Sequence, residues 1–238
     1  MQNKKDLNEL SKNSRYQKIL KNLQKKIIDT YTKSRLQFYS YIRLGLLCKY
    51  DKSIKAIYKL DSEGFFEDAN IILRTVFEDF ITIMYCEMDP NKLYKRFWDY
   101  NVVTRLDYLC TDNEIAELIN IIEKEKIQEL KVKKDEFKKL YKESKIFNWN
   151  NMSVFSLCKK LDKYYKTQFY TSMYIIVYKN NSEFIHPNIL NIFENYISIN
   201  KKDKKININC NAIADNNFVE IIENLEEINE ELLKIKFM

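Results

Sequence analysis

The stretch FFEDANIILRTVFEDFITIMYC, residues 65–86, indicates the fold more strongly than any other part of the chain. It contains neither glycine nor proline, and its apolar residues recur at helical spacing on several sides. A surface helix carries a single apolar stripe, whereas a helix that is apolar on several sides is buried. The stretch therefore predicts a helix at the centre of a helical bundle.

The composition of the chain agrees with an all-α fold. The chain has 238 residues, of which 45% are hydrophobic and 31% charged, enough for a buried core. Glycine and proline occur only twice each, at Gly45, Gly64, Pro90 and Pro187. Sandwiches, barrels and Rossmann sheets need more turn residues, and two isolated glycines cannot build a phosphate-binding loop or a dinucleotide fingerprint.

The segments before and after the central stretch also have helical patterns. One long helix is expected from about Asn13 to Lys49, and a shorter one from Ser53 to Leu60, ended by the stop at residues 61–64. Another helix is expected from Pro90 to about Leu109. No Gly/Ser/Pro linker interrupts the chain, so we expect one continuous domain: a basic N-terminal helix over residues 1–48, then a helical domain over 49–238.

The C-terminal half predicts further helices and one short hairpin. Helices are expected over residues 112–144, 153–165, 168–186, 187–196 and 215–236, with Ser153 and Asp215 as N-caps. A loop that holds Trp149 separates the first two of these helices. Two isoleucine-rich segments flank a Lys/Asp turn and predict a short β-hairpin near residues 197–208.

The cysteines and the single histidine argue against a metal site. The five cysteines are an odd number with no CxxC pair, and His186 is the only histidine. We therefore expect buried reduced thiols, no metal and no cofactor. No secretory leader opens the chain, and no apolar run approaches the roughly 20 residues of a membrane span. The expected location is the cytoplasm, without a membrane partner.

Charge is divided between the two ends of the chain. Residues 1–50 hold 12 Lys/Arg and 3 Asp/Glu, whereas the last 26 residues hold 7 acidic residues and 2 lysines. The basic N-terminal helix could contact nucleic acid. Alternatively, it packs beside the acidic C-terminal helix, within the chain or across a dimer, which is the commoner outcome for charge runs and the one favoured here.

His186 is the first candidate for chemistry. On a helix, Ser182 lies one turn before His186, and Tyr178 or Lys179 lies about two turns before it, so these side chains share one face. At a helix C-terminus the macrodipole favours the protonated imidazole, which suits a group that exchanges protons near neutral pH. The alternative is a histidine that only caps helix carbonyls.

Arg74 and Glu78 form a second candidate, an i, i+4 pair in an otherwise apolar helix. On a surface, such a pair is a salt bridge worth about 0.3–0.5 kcal/mol. The apolar neighbours argue against much exposure, and burial of the pair costs desolvation. A polar site inside the bundle would explain that cost, so we expect Arg74, Glu78, Ser182 and His186 to converge within side-chain reach.

Two elements, Leu-Arg-Thr-x-x-Glu at residues 73–78 and Ser-x-x-x-His-Pro at 182–187, occur in one chain. Between them lie Asp89-Pro90, the segment Arg-Phe-Trp-Asp-Tyr at 96–100, Trp149, Tyr174 and Tyr178. This order resembles the bacterial domain of unknown function 5677 family, an all-helical group similar to HEPN domains. The resemblance covers about Lys49 to the C-terminus.

The resemblance implies a function, because many HEPN proteins are metal-independent endoribonucleases of toxin and antiviral systems. Their hallmark is an arginine followed by a polar residue, with a histidine four to six residues after the arginine. Here the nearest match is Lys179-Asn180, with six residues between Lys179 and His186. Lysine lacks the bidentate fork of arginine, so Arg74 on the neighbouring helix is the candidate to supply the missing guanidinium.

The resemblance also implies roles for individual residues. His186 would act as general base or acid at the RNA 2′-hydroxyl, Arg74 and Lys179 would hold the scissile phosphate, and Glu78 would orient Arg74 or His186. The side chains expected to bind the substrate nearby are Tyr178, Asn180 and Ser182. A homodimer is expected, with an antitoxin or another defence component as a further partner.

The alternative function belongs to another class. The chain would be a non-catalytic helical module that binds nucleic acid, a nucleotide or a partner protein. Arg74, Glu78 and His186 would then form a buried structural network.

Overall fold

The computed structural model describes residues 2–33, 38–110, 113–146, 148–179, 197–200, 205–208 and 218–235. In these residues the chain forms an all-α bundle with one short hairpin, as predicted. The helices are α1 (Gln2–Lys33), α2 (Phe38–Ser62), α3 (Phe66–Cys86), α4 (Pro90–Asp99), α5 (Asn101–Cys110), α6 (Asn113–Tyr141), α7 (Val154–Tyr165), α8 (Phe169–Met173) and α9 (Phe218–Lys234). A π-helical segment, Tyr174–Lys179, continues α8.

Helix α3 is the centre of the bundle, as its sequence predicts. It packs against α2, α4, α7, α9 and the π-helical segment. Its side chains are buried on several sides, and Leu73, Val76, Phe77 and Phe80 have no solvent exposure. The predicted stop before it is confirmed, because Gly64 has a φ of 87°, which favours glycine.

The predicted single helix from Asn13 to Lys49 is wrong. Helix α1 ends at Lys33, and α2 extends from Phe38 through the segment that was expected to form a separate short helix. The Tyr16 hydroxyl donates to Asp61 Oδ2 at 2.9 Å, so the middle of α1 lies beside the end of α2. Because α2 begins only a few residues after α1 ends, the two helices are antiparallel. Apolar spacing continues through both helices, and residues 34–37 contain no glycine or proline to mark the reversal.

The basic N-terminal helix packs beside the acidic C-terminal helix of the same chain, as favoured above. Arg15 Nε and Nη2 donate to the two carboxylate oxygens of Glu226 at 3.0 and 2.6 Å. This pairing lowers the pKa of Glu226. Lys26 Nζ donates to the carbonyl of Leu233 at 3.1 Å, where the negative end of the α9 dipole favours a cation.

Several predicted boundaries change in the structure. The helix predicted from Pro90 to Leu109 breaks at Tyr100 into α4 and α5. Ser153 caps α7 as predicted, because its hydroxyl accepts from the Ser156 N–H at 3.2 Å. The α-helix predicted over residues 168–186 is α-helical only as far as Met173, and then becomes π-helical.

The predicted hairpin is confirmed. Strands β1 (Ile197–Asn200) and β2 (Lys205–Ile208) are antiparallel, with Ile197 opposite Ile208. The helix predicted over residues 187–196 and the Asp215 cap lie outside the described residues.

Of the three thiols that the structure describes, one differs from the expectation, while the side chains of Cys110 and Cys210 lie outside the description. Cys86 and Cys158 are free and buried, and burial raises the pKa of both. Cys48 is free but exposed, because it lies on the outer side of α2. In the part of the chain that the structure describes, no helix is both long and apolar enough to span a membrane.

The bundle contains a buried ion pair that the sequence patterns did not indicate. Arg43 on α2 is 1% exposed, and its Nε and Nη2 donate to the two carboxylate oxygens of Glu87 at 2.7 and 2.8 Å. The Tyr94 hydroxyl on α4 donates to the same carboxylate at 2.7 Å. The Arg43 guanidinium also lies 5.7 Å from the centre of the Tyr94 ring. This cluster ties α2 and α4 to the end of α3.

Candidate functional site

The predicted site residues that the structure describes lie on two elements that face each other. Arg74 and Glu78 lie on successive turns of α3, and Tyr178 and Lys179 end the π-helical segment that packs against it. Asn180, Ser182 and His186 lie outside the described residues. The structure therefore brings Arg74, Glu78 and Tyr178 together, and the convergence with Ser182 and His186 stays a prediction.

The central contact of the site joins Arg74 to Tyr178, which is 104 residues away in the sequence. Arg74 Nη2 donates to the Tyr178 hydroxyl oxygen at 2.6 Å. The guanidinium carbon also lies 4.0 Å from the centre of the Tyr178 ring, a cation–π contact. Because Tyr178 leads directly into the segment that carries His186, this contact fixes a cation at the start of that segment.

Arg74 and Glu78 differ in how much of each side chain is exposed to solvent. The Arg74 side chain is 19% exposed, whereas that of Glu78 is 45% exposed. Arg74 Nε lies 3.6 Å from Glu78 Oε1, an ion pair but too long for a hydrogen bond. Arg74 is thus half-buried, whereas Glu78 reaches the edge of the bundle, so the expectation of little exposure holds for Arg74 alone.

One N–H group of the arginine makes no hydrogen bond among the described residues. Arg74 Nε is buried and has no hydrogen-bond acceptor among the residues that the structure describes. A buried donor without an acceptor costs about 1–3 kcal/mol, so this atom needs an explanation. An anionic oxygen that enters beside Arg74 would satisfy it.

Tyr178 is a neutral hydrogen-bonding group. Burial raises its pKa above the ordinary value for tyrosine, and the Glu78 carboxylate acts in the same direction, while Arg74 opposes both. The phenol therefore keeps its proton near neutral pH. It can orient Arg74 and donate to a carboxylate, but it is not a base at that pH.

The π-helical geometry changes which side chains share a face. A π turn holds one more residue than an α turn, and such segments are often found at functional sites. The predicted common face for Tyr178, Lys179, Ser182 and His186 assumed a regular α-helix; its first two residues lie in the π-helical segment, and the face itself stays a prediction because Ser182 and His186 lie outside the described residues. Lys179 itself is exposed.

Further side chains, which the sequence analysis missed, extend the site into a row. Tyr174 stacks on Tyr178 with ring centres 5.1 Å apart, and Phe155 on α7 lies 5.1 Å from Tyr174. Lys159 Nζ is 4.3 Å from the centre of the Phe155 ring. We call the five side chains Lys159, Phe155, Tyr174, Tyr178 and Arg74 the aromatic row. It crosses α7, the π-helical segment and α3.

Other residues of the recognised motifs support the scaffold. Arg96 on α4 donates from Nε to the carbonyl of Trp149 at 2.6 Å and forms an ion pair with Glu143. The Trp149 ring packs edge-on against Phe97, with ring centres 5.1 Å apart. These contacts fix the connection between α6 and α7, and thus the position of α7 beside the site.

The described ranges contain no cluster of three or more His, Cys, Asp or Glu side chains that could hold a metal ion.

One comparison with known proteins bears on identity. The chain matches the family described as "Family of unknown function (DUF5677)" over residues 39–207. The match covers α2 to the hairpin and so includes Arg74, Tyr178 and His186. No curated protein and no solved structure matches the chain.

Proposed function

Since the chain belongs to the DUF5677 family, whose function is unknown, we propose a function from its own residues together with the resemblance to HEPN domains. The chain is a HEPN-like, metal-independent endoribonuclease of the toxin type, active in bacterial antiviral defence. The observation that carries this proposal is the half-buried guanidinium of Arg74, held by Tyr178 at the start of the segment that leads to His186.

Arg74 binds the scissile phosphate in this proposal. A guanidinium offers a planar fork of donors that matches two phosphate oxygens, which lysine cannot do. Half-burial strengthens its attraction for an anion, because the local dielectric is lower than that of water. The unsatisfied Nε supplies a donor that a phosphate oxygen can occupy.

His186 moves the protons. Acting as a base, its imidazole takes the proton from the RNA 2′-hydroxyl. The 2′-oxygen then bonds to phosphorus while the bond from phosphorus to the 5′-oxygen breaks. The leaving oxygen takes a proton from an imidazolium, and the product is a 2′,3′-cyclic phosphate. Lys179, Asn180 and Ser182 add contacts to the substrate, and no step requires a metal.

We expect the active form to be a homodimer. Cleavage needs one group to accept a proton and one to donate it, and each chain has a single histidine. A two-fold axis is the simplest way to bring two imidazoles together. Light scattering of the purified protein is expected to give about twice the 28.9 kDa mass of one chain. A stable monomer at micromolar concentration would contradict this expectation.

The experiment that tests the function is cleavage of RNA by the purified chain and by its His186→Ala variant. Wild-type protein is expected to cut, and the variant to lose activity without a change in its melting temperature. Active His186→Ala protein would remove the histidine from the mechanism.

A second candidate is favoured by one observation, the contacts that Arg74 makes within the protein. Its guanidinium is engaged by Tyr178 and lies near Glu78, as in a structural network. The chain would then be a non-catalytic module that binds nucleic acid, a nucleotide or a partner protein. This candidate predicts no cleavage and a less stable fold when Arg74 is removed.

A further inference from the structure

We propose that the aromatic row binds a single-stranded RNA, in which an unpaired base stacks on the face of Phe155 that Lys159 now covers and the neighbouring phosphates pair with the flanking cations Lys159 and Arg74. This inference rests on the proposed function and specifies its substrate, because the strand would reach the cleavage site unpaired. No pattern in the sequence joins the two halves of the row; the fold alone brings them together.

The rings of the row are evenly spaced but not parallel, because Phe155 is tilted by 40° to Tyr174 while Tyr174 lies at 19° to Tyr178. The rings are spaced 5.1 Å and 5.1 Å apart, from Phe155 to Tyr174 and from Tyr174 to Tyr178. A cation lies over the ring at each end, Lys159 at 4.3 Å and Arg74 at 4.0 Å. The order across the surface is thus cation, three aromatic rings, cation.

The surface is open to solvent where a strand would enter. Phe155 is 36% exposed and Lys159 is exposed, whereas Tyr174 and Tyr178 are half-buried. Ile175 and Ile176, on the same π-helical segment, are 52% and 38% exposed. A base that covers the exposed Phe155 ring removes apolar surface from water, which favours binding.

The chemistry of the row matches a single strand better than other partners. Proteins that bind single strands without strict sequence preference combine aromatic stacking platforms with cations along the backbone. In a duplex the faces of the bases are already stacked, so the rings would have nothing to bind. The row offers the same combination, three rings with a cation at each end.

The two ends of the row have different roles. Lys159 is exposed, so its ammonium can leave the Phe155 ring for a phosphate while a base takes its place on the ring. Arg74 is held by the Tyr178 hydroxyl at 2.6 Å and cannot move in this way. The strand would therefore be captured at Phe155 and fixed at Arg74, where the proposed cleavage occurs.

The test is binding of an unstructured, fluorescein-labelled RNA oligonucleotide, measured by anisotropy in the non-cleaving His186→Ala background. Adding Phe155→Ala is expected to weaken binding about 10-fold or more, because a stacking platform is lost. Phe155→Trp should restore it. Adding Lys159→Gln should reduce the slope of log affinity against log salt by about 0.7, the change expected for one phosphate contact with a single strand.

The matched control is Tyr164→Ala. Tyr164 is an aromatic residue on the same helix and is 52% exposed, but it lies nine residues after Phe155, half a turn around α7. Its removal should leave RNA affinity unchanged. A melting curve for each variant tests whether it is folded. We expect Phe155→Ala to be folded, because the Phe155 side chain is exposed.

The outcomes separate this inference from the proposed function. Phe155→Ala that binds RNA as tightly as Tyr164→Ala would overturn the inference, even if the wild-type chain cleaves RNA. Equal affinity for the fully paired duplex of the same sequence would also overturn it. Loss of binding in Phe155→Ala, together with no cleavage by wild type, would keep the binding surface and reject the nuclease.

Discussion

Replacement of Arg74 by alanine is expected to lower the rate of RNA cleavage by roughly 100- to 1000-fold, the usual cost of losing one preorganised electrostatic contact to the transition state. The melting temperature should change little, because Glu78 is 45% exposed and remains hydrated without its partner. Single-turnover cleavage and a thermal melt on the same preparation measure both effects.

Two further variants show whether the fork of arginine matters. Arg74→Lys keeps the charge but not the bidentate geometry. It should therefore recover only a small part of the activity that Arg74→Ala loses. Arg15→Ala is the matched control, because Arg15 also pairs with a glutamate, Glu226, but on the α1–α9 side of the bundle. It should cleave RNA at the wild-type rate.

The opposite result has a clear interpretation. If Arg74→Ala lowers the free energy of unfolding by about 3–5 kcal/mol, the arginine belongs to a buried structural network, as the second candidate function requires. If the variant is stable and cuts RNA at the wild-type rate, Arg74 does not contact the substrate.

The largest effect on stability is expected at Arg43. Arg43→Ala leaves the Glu87 carboxylate, whose side chain is 6% exposed, without its cation inside the bundle. Breaking a buried ion pair in this way costs about 3–5 kcal/mol. Urea unfolding, followed by circular dichroism, should show a lower midpoint with little change in slope.

A control and a double variant test the cause of that loss. Lys133→Ala removes a partner from an i, i+4 pair with Glu129 in which both side chains are about half exposed, and it should cost less than about 0.5 kcal/mol. Arg43→Met combined with Glu87→Gln removes both charges and should be more stable than Arg43→Ala. If Arg43→Ala unfolds at the same urea concentration as the wild-type protein, the assigned role of the Arg43–Glu87 pair is contradicted.

Local patterns in the sequence were sufficient to predict the centre of the fold. Helix α3 is apolar on several sides, and its burial follows directly from that property. The reversal between α1 and α2 could not be predicted, because it has no glycine or proline and the apolar spacing continues on both sides. Only a tertiary contact, such as Tyr16 with Asp61, reveals it.

One part of the candidate site could be predicted from the sequence, and another part could not. An arginine in an otherwise apolar helix indicated a polar site, and Arg74 does form a hydrogen bond with Tyr178. The contact between Phe155 and Tyr174 was not predictable, because it depends on how α7 packs against a π-helical segment. The pair of Arg43 and Glu87 was missed for the same reason, since its members lie 44 residues apart.

The most direct test of the proposed ribonuclease is an analysis of product ends after cleavage in excess EDTA. The account predicts that wild-type protein cuts RNA under these conditions and leaves 2′,3′-cyclic phosphates, and that His186→Ala yields no such ends. Cleavage that stops in chelator and returns with magnesium or manganese would contradict the account, because the phosphate would then be activated by a metal ion.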